Sequence, residues 1–257
     1  MIRLLALLML GLSPLARADE ASGKLTSSGI VEFNAAYQAW DGGRFGVAAE
    51  LFRQAGAKAP GSVVNFYWQG AARFHRMLQL QSLPKSQADP KAAESAMEAA
   101  VAALETAVKL DGRHAESHAL LGTLYGMKIN GSILRGIRFG PAVQEHQKLA
   151  LQFGAKNPRV RYLLGTGLFH TARDEASRRE ALKALLAAEQ LFEAEAGLAA
   201  KPFEPRWGRS SCRTFIGRTY EQLGHRPEAA DYFRKALSEH PADHLAKAGF
   251  ARVTAKN

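Results

Sequence analysis

The sequence predicts an all-α fold, a superhelix of helical hairpins. Three observations carry that expectation: an alanine-rich composition, a hairpin pattern that recurs along the chain, and no window of strict apolar/polar alternation. Of 257 residues, 46 are alanine and only 10 are proline, a balance that favours helix over sheet. Hydrophobic residues make up 47% and charged residues 23%, which supplies a sizeable core and excludes a disordered chain. A single cysteine excludes a disulfide framework. The formal charge of +10 directs attention to anionic partners.

Residues 1–18 read as a signal peptide. Arg3 supplies a positive start, residues 4–12 are uncharged and apolar, and Ala16-Arg17-Ala18 offers the small-x-small pattern a signal peptidase needs. Cleavage is expected after Ala18. The apolar run is too short to span a bilayer as a mature helix. Cys212 lies far from the cleavage point, so no lipoprotein anchor is expected. The expectation is a soluble periplasmic or secreted bacterial protein, with residues 19–257 as one domain.

The clearest hairpin lies near the C-terminus, over residues 210–243. Ile216-Gly217-Arg218-Thr219-Tyr220 is followed by Gly224, Ala229, Phe233, Ala236 and Pro241. This unit resembles a tetratricopeptide repeat (TPR), with Arg213 where the family usually has tryptophan. Small residues at 217, 229 and 236 let two helices approach, while Tyr220 and Phe233 fill the space between layers. The resemblance implies a right-handed superhelix of about five TPR-like hairpins with insertions.

The same frame recurs upstream. Gly43, Phe45, Ala48, Phe52, Ala55 and Pro60 fit the second helix of a first repeat, and Gly70 opens the next. Ala100, Leu104 and Ala107 form another second helix. Leu121-Gly122-Thr123-Leu124-Tyr125 repeats the signature after a turn at Asp111-Gly112, and Leu164-Gly165 continues it after Asn157-Pro158. The spacing is irregular where insertions are expected: a polar loop over 79–90, a loop from Asn130 to Pro141, and a long helix over 180–200 followed by Lys201-Pro202-Phe203-Glu204-Pro205. The count is ten helices in five hairpins plus a terminal helix over 244–256. Over roughly 115–195, the run Tyr125-Gly126-Met127-Lys128, Gly140-Pro141 and Asn157-Pro158-Arg159-Val160 with Gly165 and Phe169 is similar to a group of exported bacterial TPR proteins of unsettled function. His170-Thr171-Ala172 departs from that group's pattern.

Catalytic signals are weak. His114/His118 and His240/His244 have the four-residue spacing of helical metal ligands, yet no acidic residue or cysteine completes a set. Cys212 falls in a packed hairpin, the setting of an inert thiol. No phosphate loop, dinucleotide fingerprint or nucleophile elbow occurs. No enzyme, metal or cofactor is expected, and export disfavours nucleic acid as a partner.

Binding is the expected activity. The TPR resemblance implies a concave groove lined by the first helix of each hairpin. Mapping the repeats places Tyr67, Phe74, His75, Glu116, Thr123, Arg159, Tyr162, Thr166, Phe169, His170, Arg218 and Gln222 there. Aromatic side chains beside arginines suit apolar anchors and carboxylates. An accessory loop with Arg135, Arg138 and Phe139, beside Lys128, Ile133, Leu134 and Ile137, has the composition to touch anionic headgroups or an acidic partner. The expected function is a periplasmic scaffold or adaptor that holds a protein or peptide. The alternative is a ligand-handling accessory of an envelope transport system, closed around a small apolar or anionic molecule.

Overall fold

The computed structural model describes residues 14–255, with side chains from Asp19 onward. The apolar run and most of the expected signal peptide lie outside the described residues. Within them the chain forms eleven α-helices and one short 3₁₀ turn, and no strand. The hairpins are α1 (Pro14–Ala39) with α2 (Gly42–Lys58), α3 (Val63–Ser82) with α4 (Pro90–Leu110), α5 (Ala115–Ile129) with α6 (Ile133–Gly154), α7 (Pro158–Thr171) with α8 (Glu175–Ala196), and α9 (Arg209–Gln222) with α10 (Arg226–Glu239). Helix α11 (His244–Thr254) closes the stack.

Local chemistry explains the boundaries. Side chains of Asp41, Asp89, His114, Ser132, Asn157, Asp174 and Asp243 accept backbone N–H bonds at the starts of α2, α4, α5, α6, α7, α8 and α11. Pro90, Pro158 and Pro227 sit in first turns, where a missing N–H costs nothing. Hairpin partners approach closely at glycine. A Cβ on Gly70 would lie 2.5 Å from Leu104, on Gly165 2.8 Å from Leu185, and on Gly217 2.9 Å from the Phe233 ring. The expected gap at Gly217 and filler at Phe233 are therefore observed.

Three expected insertions take different forms. The 79–90 loop is shorter, because α3 runs to Ser82 and a 3₁₀ turn fills Lys85–Gln87. The expected loop from Asn130 to Pro141 is mostly helix: after a turn with left-handed Asn130 and Gly131, Ser132 caps α6, which incorporates Pro141. The long helix is displaced toward the N-terminus, because the Asp174/Ser177 capping box starts α8 at Glu175 and Gly197 ends it.

The core runs through the first four hairpins and into α9, and a second cluster around Phe233 joins α10 to α11. The ends of the stack also meet. Tyr37 of α1 lies 5.1 Å from His240, Trp40 lies 6.0 Å from His244, and Tyr37 Oη is 2.6 Å from Ser211 Oγ.

Candidate functional site

The first helix of each hairpin supplies the row of side chains expected to line the groove. The connection between α8 and α9, residues 197–208, folds back over part of that row. Trp68 Nε1 donates to the Phe203 carbonyl at 2.9 Å, and Trp207 Nε1 donates to Tyr67 Oη at 3.0 Å. Trp207 is 4% exposed and stands edge-on to His75 at 4.9 Å. Arg206 anchors the segment by donating to the Glu195 carbonyl at 2.6 Å and to Glu204 at 2.8 Å.

Under this cover lies a buried ion cluster. Arg159, 2% exposed, donates from Nε to Glu116 at 2.8 Å and through both terminal nitrogens to Glu195 at 2.9 and 2.5 Å. Glu116 also accepts from Asn157 at 2.7 Å and from the Tyr67 hydroxyl. Burial works against the Arg159 charge, but Glu116 and Glu195 more than offset it and hold the guanidinium protonated. Burial, reinforced by Glu116, pushes the Tyr67 phenol well above its ordinary range, so it stays a neutral donor. With both carboxylates satisfied from within the chain and Arg159 almost fully buried, this cluster fastens α3, α5, α7 and α8.

The expected groove row therefore divides. Tyr67, Glu116 and Arg159 belong to the buried cluster and do not line a groove. His75 is also core: Phe33, Tyr37, Phe45, Phe74 and Trp207 surround its ring, and its Nδ1 contacts the Ala71 carbonyl at 2.8 Å. Burial lowers its pKa to about 4. Phe169 is buried against Phe215, with the Arg218 guanidinium 4.7 Å from its ring centre, so both pack between layers.

Phe74, Tyr162, Thr123, Thr166 and His170 do face an open cavity of about 1,940 Å³ lined by α3 to α9. Its apolar floor includes Leu78, Met97, Met127, Leu163 and Phe215. Lys128, Arg135, Arg138, Lys148, Arg161 and Arg173 also line it, against the carboxylates of Asp89, Glu94 and Glu98. Arg135, Arg138 and Phe139 are thus part of the main cavity, on the first turns of a helix rather than on a separate loop.

Sequence reasoning missed Trp207 and Glu195 in the covered half, and Met97, Met127, Leu163, Arg161 and Arg173 in the open half. Phe203 and Trp207 carried a signal: two aromatics in a proline-bearing connector mark a segment that packs back onto the body. The histidines also pair differently. His114 caps α5, while His118 Nδ1 lies 2.8 Å from Nδ1 of His146 and its Nε2 contacts the Gly112 carbonyl at 3.0 Å. Among the described residues, no three His, Cys, Asp or Glu side chains converge as a metal site. Cys212 is fully buried, and burial raises its thiol pKa well above the usual range.

A family model, regulator of microtubule dynamics protein 1-3, matches residues 34–248. The chain belongs to that family. Curated protein sequences give no match. Solved structures place this family member among TPR folds. A TPR protein of Thermus thermophilus, TTC0263, is 17% identical with a TM-score of 0.62, covering 91% of this chain and 98% of that one. The HusA haemophore of Porphyromonas gingivalis is 16% identical with a TM-score of 0.59, covering 79% of this chain and 92% of that one. The APC/C hetero-tetramer Cut9–Hcn1 is 16% identical with a TM-score of 0.55, covering 93% of this chain and 39% of that one. At these identities the likeness concerns the fold, an all-α TPR solenoid.

Proposed function

We propose that this chain is a non-catalytic adaptor that holds a protein or peptide partner in the open half of its concave groove. The observation that carries this reading is the cavity of about 1,940 Å³, with an apolar floor and a predominantly cationic wall. Apolar side chains of a partner would enter between Met97, Met127 and Phe215, while its carboxylates would meet Arg161 and Arg173. The buried Arg159 cluster keeps the facing helices in register and so preorganises the wall. Arg3, the apolar run over 4–12 and the Ala16-Arg17-Ala18 pattern support export to the periplasm. Cleavage after Ala18 would leave α1 beginning at Asp19.

The test compares proteins captured from envelope extract by wild type and by a Met127→Glu, Arg161→Glu, Arg173→Glu triple variant. These side chains are at least partly exposed, so the fold is expected to persist and is checked by circular dichroism. A partner held by wild type and lost by the folded variant supports the reading. Equal capture by both contradicts it.

A second reading is a ligand-handling accessory of an envelope transport system. It is supported by the same apolar floor and by the fold likeness to a protein described as a haemophore. Native mass spectrometry separates the two: a small molecule that co-purifies with wild type and is absent from the triple variant favours this reading over the protein partner.

A further inference from the structure

The first two turns of α6 expose Ile133, Leu134 and Ile137, at 82%, 79% and 72%, more than any other large apolar side chain among the described residues. Helical geometry puts these three within an arc of about 100°. Gly136 and Gly140 flank one side of the arc and leave it uncovered, and Pro141 continues it. On its other side stand Arg138 and then Arg135. Neither arginine forms an ion pair with a carboxylate among the described residues. Arg135 reaches only the Lys128 carbonyl, at 3.4 Å, and Arg138 lies 5.1 Å from the Phe139 ring centre. Asn130 and Gly131 turn the chain sharply in left-handed conformations, and Ser132 starts the helix immediately afterwards.

We propose that this tip docks on an anionic lipid bilayer. A bilayer satisfies both halves of the tip at once. Acyl chains receive Ile133, Leu134 and Ile137, and phosphate groups receive the two arginines, whose aliphatic stems lie along the apolar boundary. The net charge of +10 favours approach to such a surface. A protein partner would need an apolar socket bordered by carboxylates to match the same shape. Because Arg135, Arg138 and Phe139 also line the cavity, docking would set the cavity mouth at the membrane surface. The inference stands on the apolar tip and does not require a groove partner.

The test uses the full chain with Ile137→Cys carrying an environment-sensitive fluorophore; the buried native Cys212 does not take the label. A control carries the same label at Val47→Cys, an exposed position on α2. Vesicles are phosphatidylcholine alone or phosphatidylcholine with phosphatidylglycerol. The expected result is a blue-shifted, brighter emission from position 137 on phosphatidylglycerol vesicles only, with position 47 unchanged. Adding Arg135→Gln and Arg138→Gln should weaken that response about tenfold, and salt should weaken it in the parent. The control position distinguishes tip insertion from attachment through the apolar N-terminus. No shift at 137, an equal shift at 47, or a shift that follows protein concentration without vesicles, the mark of a second copy, would each overturn the proposal.

Discussion

Arg159 is the residue on which the covered half of the concave face depends. It sits between two carboxylates with its Nε and both terminal nitrogens engaged, and Glu116 is further held by Asn157 and Tyr67. Removing one partner of a buried ion pair leaves the other charge uncompensated, at a cost of about 3–5 kcal/mol. Arg159→Ala is accordingly expected to lower stability by that amount in urea denaturation; a loss under about 1 kcal/mol would show that the cluster is hydrated and unimportant. His75 makes a second prediction. Its folded pKa of about 4 lies below the 6.5 of an exposed imidazole, so the unfolded chain binds the proton first as pH falls. Its effect on stability is absent above pH 6.5 and grows destabilising between pH 6.5 and 4, reaching about 3 kcal/mol. His114, His146, His170 and His240 are shifted in the same direction, so they add to the slope rather than cancel it. His75→Leu should flatten the pH dependence of the unfolding midpoint over that window, and an unchanged slope would contradict the buried neutral imidazole.

The hairpins were legible in the sequence because their spacing follows from close approach. Gly70, Gly165 and Gly217 recur where the facing helix brings Leu104, Leu185 and Phe233 within reach of a Cβ. Gly165→Ala is expected to destabilise by about 1–3 kcal/mol through overpacking, and Leu185→Ala in the same chain should recover part of that loss. Strict additivity of the two effects in thermal unfolding would refute the contact. The connectors were much less legible. Repeat spacing fixes how many residues an insertion contains but says nothing of where it goes. For α6, the Ser132 cap starts the helix at Ile133, and it continues through Gly136, Gly140 and Pro141, so an expected loop became helix. For residues 197–208, long-range contacts from Trp207 to Tyr67 and from Phe203 to Trp68 decide the path, across 140 and 135 positions of sequence. Trp207→Ala should release this connector. Cleavage by a nonspecific protease within 197–208 is expected to rise at least tenfold, whereas cleavage unchanged from wild type would mean that Trp207 does not hold the segment in place.

At the scale of the whole molecule, the solenoid has two unlike concave halves. One is closed by the chain's own connector over a buried ion cluster. The other remains open, lined by α3 to α9, with an apolar floor and a largely cationic wall. Counting repeats could place residues on the first helices, which is why it named Phe74, Tyr162 and His170, side chains that line the open cavity. It could not distinguish a covered helix face from an open one, and so Tyr67, Glu116 and Arg159 were expected beside them. Site-specific photo-crosslinking in living cells tests this division most directly, with a photoreactive residue placed singly at Met127, at His170, at Phe203 in the connector and at Val47 on α2. Adducts to the same partner protein from positions 127 and 170, with none from 203 or 47, are the expected result. Adducts from 203 but not from 127 or 170 would contradict it, because the partner would then be bound over the connector and the open half would not be the binding site.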